Sequence, residues 1–506
     1  MDRPNDAKTK TQRLSNILVD IASQFFLAVV VGLVMAVVAN SFVEGARWFL
    51  NLSRVDSFIS MQIGGANYTL DIFLTLAGAA VLILLVRRIL GITIWSGPAD
   101  SIYAVQQSRE PLDIRLGMGS TLAAFVAASG GGSVGQYGPL VHFGATMTEI
   151  LLKYIRIKID RRVFIACGVA GAISAGFNAP IAGVLFAHEA LLRRISVGAI
   201  APIAITSIVA YAANQAFFNI EPTFSVPDMP IELQPLIPFL IMTAFLSAAS
   251  AVAYMAAIRK GRELATRSQW SMPKLIVSCV LVVGCVGVVL PDITGLGLTQ
   301  VNQMIDAQFT LGMLVILLAA KIFVTAYCLN TGFFGGVFGP ALFVGAATGA
   351  IAAYLAVMMG LAPHLSYALP VAAIAAVGGA VIGAPLAVIM IVIELTGSYA
   401  YGLSAMLCVI LCSVLTLRLF GLSYFDRQLL DRGIDLRLGQ EHVELSLTPV
   451  SEIQGGDFVR LSNDASVQQA RQALSEALAT EAYVCDDAGT LVGKIDIHSL
   501  NHATSL

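Results

Sequence analysis

Apolar residues occur along most of this chain in long runs that short polar stretches separate. The clearest runs are Phe25–Val43, Leu70–Val86, Leu236–Ile258, Leu275–Leu290, Leu311–Val324 and Leu403–Leu417. A helix that crosses a bilayer needs about 20 apolar residues, and shorter runs are typical of buried or re-entrant segments. Both lengths occur here. The pattern therefore predicts an all-α integral membrane protein whose bundle contains half-helices as well as full spans.

Composition supports a membrane environment for most of the chain. Of the 506 residues, 57% are hydrophobic and only 12% are charged, whereas soluble domains carry about 25% charged residues. The first 24 residues are polar and the first apolar run is long enough to span. We therefore expect no cleaved signal peptide. The cysteines show neither a disulfide frame nor a zinc spacing, and we expect no metal, no cofactor and no nucleic-acid partner.

The charges between the apolar runs predict an orientation. Basic residues cluster at 153–162, 193–194, 259–267 and 418–437, whereas 219–232 holds three acidic residues and no basic one. The positive-inside rule places the basic clusters in the cytoplasm and the acidic loop outside. We expect a multi-pass protein of the cell membrane, in bacteria the inner membrane, with both termini in the cytoplasm.

The chain divides by composition into a membrane domain over 1–438 and a small polar unit over 441–506. In the polar unit the pattern predicts a β-α-β arrangement with a further strand. Its predicted elements are a strand at Asp457–Leu461, a helix at Ser466–Ala477, a strand at Glu481–Cys485 and a strand at Leu491–Ile495. A unit of this length is marginally stable alone, so we expect it to pack on a partner copy or on the membrane domain.

The membrane domain contains an internal repeat. Gly135-Gln-Tyr-Gly-Pro139, followed by Gly144-Ala145, matches Gly336-Val-Phe-Gly-Pro340, followed by Gly345-Ala346, at an offset of about 200 residues. Further on, Ala179-Pro180 and Ala384-Pro385 are each followed by a glutamate nine residues after the proline, Glu189 and Glu394. We place repeat one at about 16–220 and repeat two at about 235–420. Transporters are often built from such repeats, with the transport site between them.

The two glycine-proline elements predict an anion site. A glycine-rich break in a membrane segment is tolerated only inside the protein or beside a water-filled cavity. Proline favours the first turn of a helix, so Pro139 and Pro340 are expected to begin helices near the membrane midplane. A helix start exposes unbonded N–H groups and the positive end of the helix dipole, which attract anions. The alternative is that the glycines serve only close helix packing.

Several motifs together resemble the CLC family of chloride channels and chloride/proton antiporters over nearly the whole chain. Trp95-Ser-Gly-Pro-Ala-Asp100 resembles the family's GSGIP loop, and the two repeat elements resemble GREGP and GxFxP. Glu394–Tyr399 resembles the segment before the last membrane helix, which carries a pore tyrosine, and Asn178-Ala-Pro180 with Glu189 also fits. The resemblance implies the CLC-type inverted repeat of broken and tilted helices, a homodimer with one pore per subunit, and a lipid bilayer as surroundings.

The resemblance also implies the roles of single residues in binding chloride or a similar small anion. Hydroxyl groups of Ser96 and Tyr399 and backbone N–H groups of Val337 and Phe338, next to Gly336, are expected to contact a central anion. The backbone of Gly135, Gln136, Tyr137 and Gly138 is expected to line an outer site. The tail resembles a single CBS motif, whereas other members carry two, so two copies are expected to pair across the dimer. We expect no nucleotide at this tail.

Two departures from the family pattern concern protons. Tyr137 stands where the family has its gating glutamate, and Ala190 stands where the antiporters have a second glutamate of the proton path. A phenol releases its proton only in strongly alkaline solution, so we expect passive, channel-like transport with Tyr137 as the gate. Whether Tyr137 plugs the outer site or lines it is left open. The alternatives are an antiporter that uses His188 with Glu189 and, outside transport, an intramembrane enzyme that uses Ser133 with His142.

Overall fold

The computed structural model describes residues 5–55, 60–63, 66–107, 111–154, 160–218, 224, 226–227, 231–439, 458–477 and 479–496. Of residues 5–18, 20, 51–55, 60–63 and 66–69 it describes the backbone alone. The chain forms two compact units, Met1–Gln440 and Glu441–Leu506. The predicted acidic loop at 219–232 falls mostly outside the described residues, and so do residues 155–159 of a basic cluster and all of 441–457.

The first half of the membrane unit contains eight α-helices, a two-stranded antiparallel hairpin and one π-helix. They are α1 Asn5–Val55, β1 Ser60–Ile63, β2 Ala66–Thr69, α2 Asp71–Leu90, α3 Pro98–Gln106, α4 Ile114–Ser129, α5 Tyr137–Tyr154, α6 Arg161–Phe177, α7 Pro180–Phe186, the π-helix Ala187–Leu192 and α8 Val197–Phe217.

The second half of the unit repeats this order of long and short helices. They are α9 Leu233–Ser268, α10 Met272–Val289, a 3₁₀ turn Pro291–Ile293, α11 Leu298–Ile305, α12 Leu311–Asn330, α13 Phe338–Met358, α14 Pro363–Ser366, α15 Ala368–Ile382, α16 Pro385–Thr396, α17 Tyr399–Leu419, α18 Tyr424–Leu430 and a 3₁₀ turn Leu436–Leu438.

Helices of two lengths make up the bundle, as the apolar runs predict. In the part of the chain that the structure describes, nine helices are long and apolar enough to cross a membrane. Three shorter apolar helical segments accompany them: α4, α16, and α7 with its π-helical continuation. This confirms the predicted all-α membrane fold with half-helices.

Equivalent turns in the two repeats use residues that tolerate a left-handed backbone. Gly131 and Gly332, which open the two glycine breaks, have φ angles of 91° and 111°. Asn178 and Gly383, which end α6 and α15, have φ angles of 58° and 79°. A side chain with a Cβ is strained in this region, and glycine and asparagine are the residues that enter it most readily. The chain therefore reverses at matched places in both halves.

Small residues let the broken helices pack deep inside the bundle. Gly144 of α5 and Gly168 of α6 face each other so closely that a Cβ on either would collide with the other's carbonyl group. The equivalent Gly345 of α13 lies against the backbone of Ala373 in α15 in the same way. Small residues at helix interfaces allow this close approach in membranes. Close packing therefore explains these three glycines.

The C-terminal unit is a three-stranded sheet with one helix. Strands β3 Val459–Ser462 and β4 Glu481–Cys485 are parallel, with helix α19 Val467–Glu476 between them, and β5 Leu491–Asp496 is antiparallel to β4. Ser466 caps α19: its hydroxyl accepts a bond from the Gln469 N–H, and the Gln469 side chain accepts from the Ser466 N–H. These elements agree with the predicted strands and helix. The relation to a CBS motif stays a prediction.

Candidate anion pathway

The two glycine breaks meet in the interior of the membrane unit. The Gly135 N–H donates to the Gly336 carbonyl at 2.7 Å, and the Gly336 N–H donates to the Gly135 carbonyl at 2.7 Å, which forms an isolated antiparallel bridge. Residues 130–140 and 336–350 are buried almost throughout. The turns before Pro139 and Pro340 therefore lie side by side, as a shared site requires, and do not face the surrounding lipid.

Glycine is required on both sides of this bridge. A Cβ on Gly135 would lie 2.8 Å from the Gly339 nitrogen and 2.8 Å from Cδ of Pro340. A Cβ on Gly138 would lie 2.9 Å from Cα of Gly336. Because these neighbours are backbone or proline ring atoms, they cannot rotate away. The contacts explain why the element Gly-x-aromatic-Gly-Pro occurs twice.

Each break delivers a helix start to the bridge. The first helical hydrogen bond of α5 runs from the Leu140 N–H to the Gln136 carbonyl, and that of α13 runs from the Ala341 N–H to the Val337 carbonyl, both at 3.1 Å. The N–H groups of the residues before these donors have no acceptor within their own helices. Two helix N-termini, each with a partial positive charge, thus converge at a buried point. Anions are attracted to such a point.

The loop before α3 packs against the same point. Ser96 is buried, and its N–H donates to the Ser120 hydroxyl of α4 at 2.9 Å. A Cβ on Gly138 would contact Cγ of Pro98 at 3.4 Å, and the Trp95 ring stacks on Phe334 of the second break. The Gly97 N–H donates to the Asp100 carboxylate at 2.7 Å, which closes the loop on α3. The loop that carries Ser96 therefore packs against the start of α5 and the second break, and the role of Ser96 in anion binding stays a prediction.

An aromatic cluster occupies the first turn of both helices. The Tyr137 ring stacks on Phe177 with 3.8 Å between ring centres, and it meets the edge of Phe338 at 5.6 Å. Phe177 and Phe338 are themselves 5.4 Å apart. Only 2% of Tyr137 is exposed. The residue at the gating position is therefore held in a closed stack that joins α5, the end of α6 and α13.

Gln136, beside Tyr137, carries a buried amide side chain. Neither its nitrogen nor its oxygen has a hydrogen-bond partner among the described residues. A buried amide without a partner is costly unless water or a ligand bonds to it. This side chain therefore keeps its hydrogen-bonding capacity for a molecule other than the protein.

Tyr399 does not lie with these residues, and its placement by resemblance is wrong. Tyr399 begins α17 and is 70% exposed. Ion pairs of Asp426 with Arg193 and of Arg432 with Asp100 fix α18 beside the α3 loop. The 21 residues of α17 span about 30 Å, so Tyr399 lies at the far end of that helix from α18 and the Ser96 loop.

The tyrosine that begins the last helix of the membrane unit is Tyr424. Ser423 caps this short helix by accepting a bond from the Asp426 N–H. Tyr254 of α9 donates its hydroxyl to the Val337 carbonyl at 2.8 Å, at the start of α13. Sequence reasoning missed both, although the Gly421-Leu-Ser423 stretch is a signal that α17 ends and a new helix starts.

The two repeat glutamates cap each other's half-helices. Glu189 accepts bonds from the N–H groups of Leu386 and Ala387 at the start of α16, at 3.0 and 2.8 Å. Glu394 accepts bonds from the N–H groups of Ile181 and Ala182 at the start of α7, both at 2.8 Å. This reciprocal exchange relates the repeats by a pseudo-two-fold axis. Both carboxylates are engaged as helix caps, and Ala190 beside Glu189 is buried.

The Ser133–His142 pair that the enzyme alternative requires does not form. The Ser133 hydroxyl lies 2.9 Å from the Thr325 hydroxyl, whereas His142 Nδ1 lies 2.7 Å from the Ser101 hydroxyl. A nucleophile needs contact with its base, and the structure gives Ser133 and His142 different partners. His188 contacts the Arg194 carbonyl through Nδ1 at 3.2 Å, near the end of the π-helix.

Comparison with known proteins identifies relatives over most of the membrane unit. The voltage gated chloride channel family matches residues 77–417. A ClcB-like chloride channel protein of Ralstonia nicotianae is 26% identical over 54% of this chain and 66% of its own length. The H(+)/Cl(-) exchange transporter ClcA of Vibrio cholerae is 28% identical over 64% of this chain and 71% of its own length. The chain therefore matches about two thirds of the length of these relatives.

A solved structure shares the fold. The crystal structure of a slow cyanobacterial Cl-/H+ antiporter superimposes with a TM-score of 0.71, covering 81% of this chain and 97% of that one at 18% identity. At this identity the similarity establishes the architecture, a CLC-type arrangement of broken helices.

Proposed function

The chain belongs to the voltage gated chloride channel (CLC) family, and from that membership we propose that it moves chloride or a similar small anion passively through the point where α5 and α13 begin. Its role as a membrane anion transporter is the family's. The proposal concerns the mechanism, which is a channel-like pathway without obligatory proton movement.

The observation that carries the proposal is the Gly135–Gly336 bridge between two helix N-termini. Backbone N–H groups and helix dipoles present partial charges, which bind an anion weakly enough to release it. The Ser96 loop adds a hydroxyl at the same point. The Gln136 amide adds a buried donor without a protein partner.

Among the residues that the structure describes, no free carboxylate lies at this point, and this supports passive transport. Tyr137 takes the place of the family's gating glutamate, and Ala190 takes that of the antiporters' second glutamate. Glu189 and Glu394, the nearest acids in the repeat pattern, each bind two backbone N–H groups. A carboxylate that binds two backbone N–H groups is occupied as a helix cap. It is poorly placed to carry protons along the anion path.

We propose that Tyr137 closes the pathway rather than lines it. Its ring lies face to face with Phe177 and against the edge of Phe338. Aromatic pairs in these geometries are stabilised by about 0.5–1.5 kcal/mol beyond simple burial. Opening then requires the ring to leave this stack, and the pathway passes an apolar constriction.

The second candidate is coupled exchange, because the Vibrio cholerae relative is an H(+)/Cl(-) exchange transporter by name. In this chain such coupling must use other groups, and His188 next to Glu189 is the pair that the sequence offers. His188 contacts the Arg194 carbonyl, and Glu189 caps α16. Neither contact joins them to Tyr137.

Reconstituted liposomes distinguish the two candidates. We expect a chloride gradient to drive anion efflux, recorded with a chloride electrode, while a pH electrode records no uphill proton movement. Proton uptake driven by the chloride gradient contradicts the proposal. Absence of anion flux under all gradients contradicts anion transport itself.

Tyr137→Glu is the matched variant for this experiment. A carboxylate at position 137 competes with the anion for the helix starts when it is ionised and releases them when it is protonated. We expect its anion flux to rise as the pH falls, whereas the wild-type flux stays unchanged over the same range. Ala190 still lacks a carboxylate, so we expect no coupled proton movement in the variant.

We further propose a homodimer in the cell membrane with both termini in the cytoplasm. Arg193 and Arg432 form their ion pairs at the same end of the bundle, which is consistent with one basic face. Counting photobleaching steps of a labelled protein in liposomes tests the dimer. Labelling of a cysteine introduced at the exposed Gln269, between α9 and α10, reports on which face this connection lies.

A further inference from the structure

A single buried cation lies inside the membrane unit, away from the residues assigned above. Lys321 lies on α12 with 0% of its surface exposed. Within the described ranges it is the one lysine or arginine that is buried. Charged side chains at membrane depth are expensive, and those that occur usually serve transport. The sequence places it within an otherwise apolar run, Leu311–Val324.

Among the described residues, the Lys321 ammonium group contacts neutral groups that have negative character. It donates to the carbonyl oxygens of Ile293 at 3.0 Å and Gly295 at 3.5 Å. The face of the Phe343 ring lies 4.8 Å away. No described carboxylate forms an ion pair with it, and the nearby Asp292 accepts instead from Gln300 at 3.2 Å. Carbonyls and a ring face offset part of the cost of burying the ammonium group and do not cancel its charge.

Three sets of contacts connect the surroundings of the Lys321 ammonium group to the two glycine breaks. The Gly295 N–H donates to the Gly131 carbonyl of the first break at 3.0 Å. Thr325, one turn after Lys321, bonds to Ser133 of the same break. Phe343 belongs to the second turn of α13, whose start carries the bridge. With a rise of about 1.5 Å per helical residue and about 3.5 Å per extended residue, the ammonium lies roughly 10–15 Å from Gly135 and Gly336.

The equivalent position in repeat one carries a neutral side chain instead of a lysine. The offset of the two breaks relates Lys321 to Ser120, whose hydroxyl accepts from the Ser96 N–H before α3. Lys321 contacts the loop before α11 in the corresponding way. Both side chains thus bind the loop that precedes a short helix, but only repeat two supplies a full charge there. Holding such a loop in place does not require a charged side chain, because the neutral Ser120 hydroxyl does so in repeat one.

We propose that Lys321 is a specificity-determining residue that raises the affinity of the pathway for anions by long-range attraction, with the transported anion as its counter-ion. This inference rests on the proposed function, because it assumes an anion at the meeting of α5 and α13. A unit charge about 10–15 Å away, at an effective dielectric constant of about 20, changes anion affinity about tenfold. The charge acts without touching the anion, so it does not prevent release.

The test compares charge with hydrogen bonding at the same position. Lys321→Gln keeps a donor for the Ile293 carbonyl but has no charge, Lys321→Met has neither, and Lys321→Arg keeps both. Chloride affinity is measured by calorimetry on the purified protein and from the chloride dependence of flux in liposomes. Lys274→Gln, at an exposed lysine in the first turn of α10, is the matched control.

We expect about tenfold weaker chloride affinity in Lys321→Gln and Lys321→Met, and wild-type affinity within about twofold in Lys321→Arg and Lys274→Gln. A Lys321→Gln variant with wild-type chloride affinity overturns the inference, because Lys321 then only holds the loop before α11 in place. Should Lys321→Met fail to fold, the comparison of glutamine with arginine decides. Wild-type protein without anion flux refutes the proposed function itself, whereas normal wild-type flux with unchanged variants refutes only the role of Lys321.

Discussion

At the residue scale, the site depends on glycines at the bridge and on a neutral tyrosine, Tyr137, where the family pattern has a glutamate. Gly135 and Gly336 are predictable from the sequence because a glycine break in a membrane segment must be sheltered and must allow close backbone approach. Ser96 is predictable through its motif. Lys321 was missed because a single charge does not interrupt the hydropathy of a long run, and Tyr424 was missed because the short α18 was not separated from α17.

Removing the Tyr137 ring should open the pathway. In Tyr137→Ala the stack on Phe177 and Phe338 loses its central member. We expect anion flux to rise about tenfold, which corresponds to a barrier lower by about 1.4 kcal/mol. Flux from liposomes with a chloride electrode measures it.

Tyr137→Phe is the control for that prediction. It keeps the ring and removes only the hydroxyl, so a gate that works by ring packing should leave its flux at the wild-type level. If Tyr137→Phe were as open as Tyr137→Ala, the hydroxyl and not the ring would be the element that closes the path.

A methyl group at the bridge should separate the two breaks. In Gly135→Ala the new Cβ meets the Gly339 nitrogen and the Pro340 ring at 2.8 Å, and overpacking of this kind costs about 1–3 kcal/mol. We expect a lower melting temperature in detergent together with loss of anion flux. Gly312→Ala, where a Cβ meets nothing within 4 Å, should change neither quantity. Normal flux in Gly135→Ala would argue against the bridge as the anion site.

At the element scale, the half-helices are stabilised by groups from the opposite repeat. Helices α7 and α16 begin at Pro180 and Pro385, and each N-terminus binds the glutamate near the end of the other segment. The equal spacing of proline and glutamate was visible in the sequence. The exchange between repeats was not, because capping between distant segments depends on tertiary packing rather than on local pattern.

Glu394 should therefore act as a structural cap and not as a proton carrier. Glu394→Ala leaves the N–H groups of Ile181 and Ala182 without acceptors, and each charge-assisted bond contributes about 1.5–3 kcal/mol. Because two such bonds are lost, we expect a loss of about 3–6 kcal/mol in the free energy of unfolding, measured by denaturation in detergent. Glu394→Gln keeps one acceptor oxygen and should lose about half as much.

Flux measurements separate this role from proton transfer. Where Glu394→Gln still folds, its anion flux and its lack of proton movement should match the wild type. A change in the ratio of protons to anions in Glu394→Gln would contradict the assignment of this glutamate as a cap.

At the scale of the whole molecule, the internal repeat could be predicted from the sequence, but the contacts that join the end of repeat two to repeat one could not. Two half-chains with matched breaks imply a shared interior site, and the bridge between Gly135 and Gly336 agrees with that inference. The sequence contains no sign of which distant charges meet. Arg193 pairs with Asp426 and Arg432 pairs with Asp100, so α18 at the end of the membrane unit is fixed to two elements of repeat one.

The Asp100–Arg432 pair makes the attachment of α18 to repeat one dependent on pH. Burial alone would raise the pKa of Asp100, but Arg432 at 2.6 Å and the hydrogen bond from the Gly97 N–H outweigh burial, and the pKa lies below its usual value of 3.8. The stabilising contribution of the ionised Asp100 is therefore full above about pH 4 and is lost as the pH falls through the lower folded pKa.

Arg432→Gln should lower the free energy of unfolding by about 0.5–1 kcal/mol at pH 7, because the pair is partly exposed. This difference from the wild type should shrink below pH 4, as followed by thermal unfolding in detergent. A constant difference at all pH values would mean that Arg432 stabilises α18 by packing and not through the charge of Asp100.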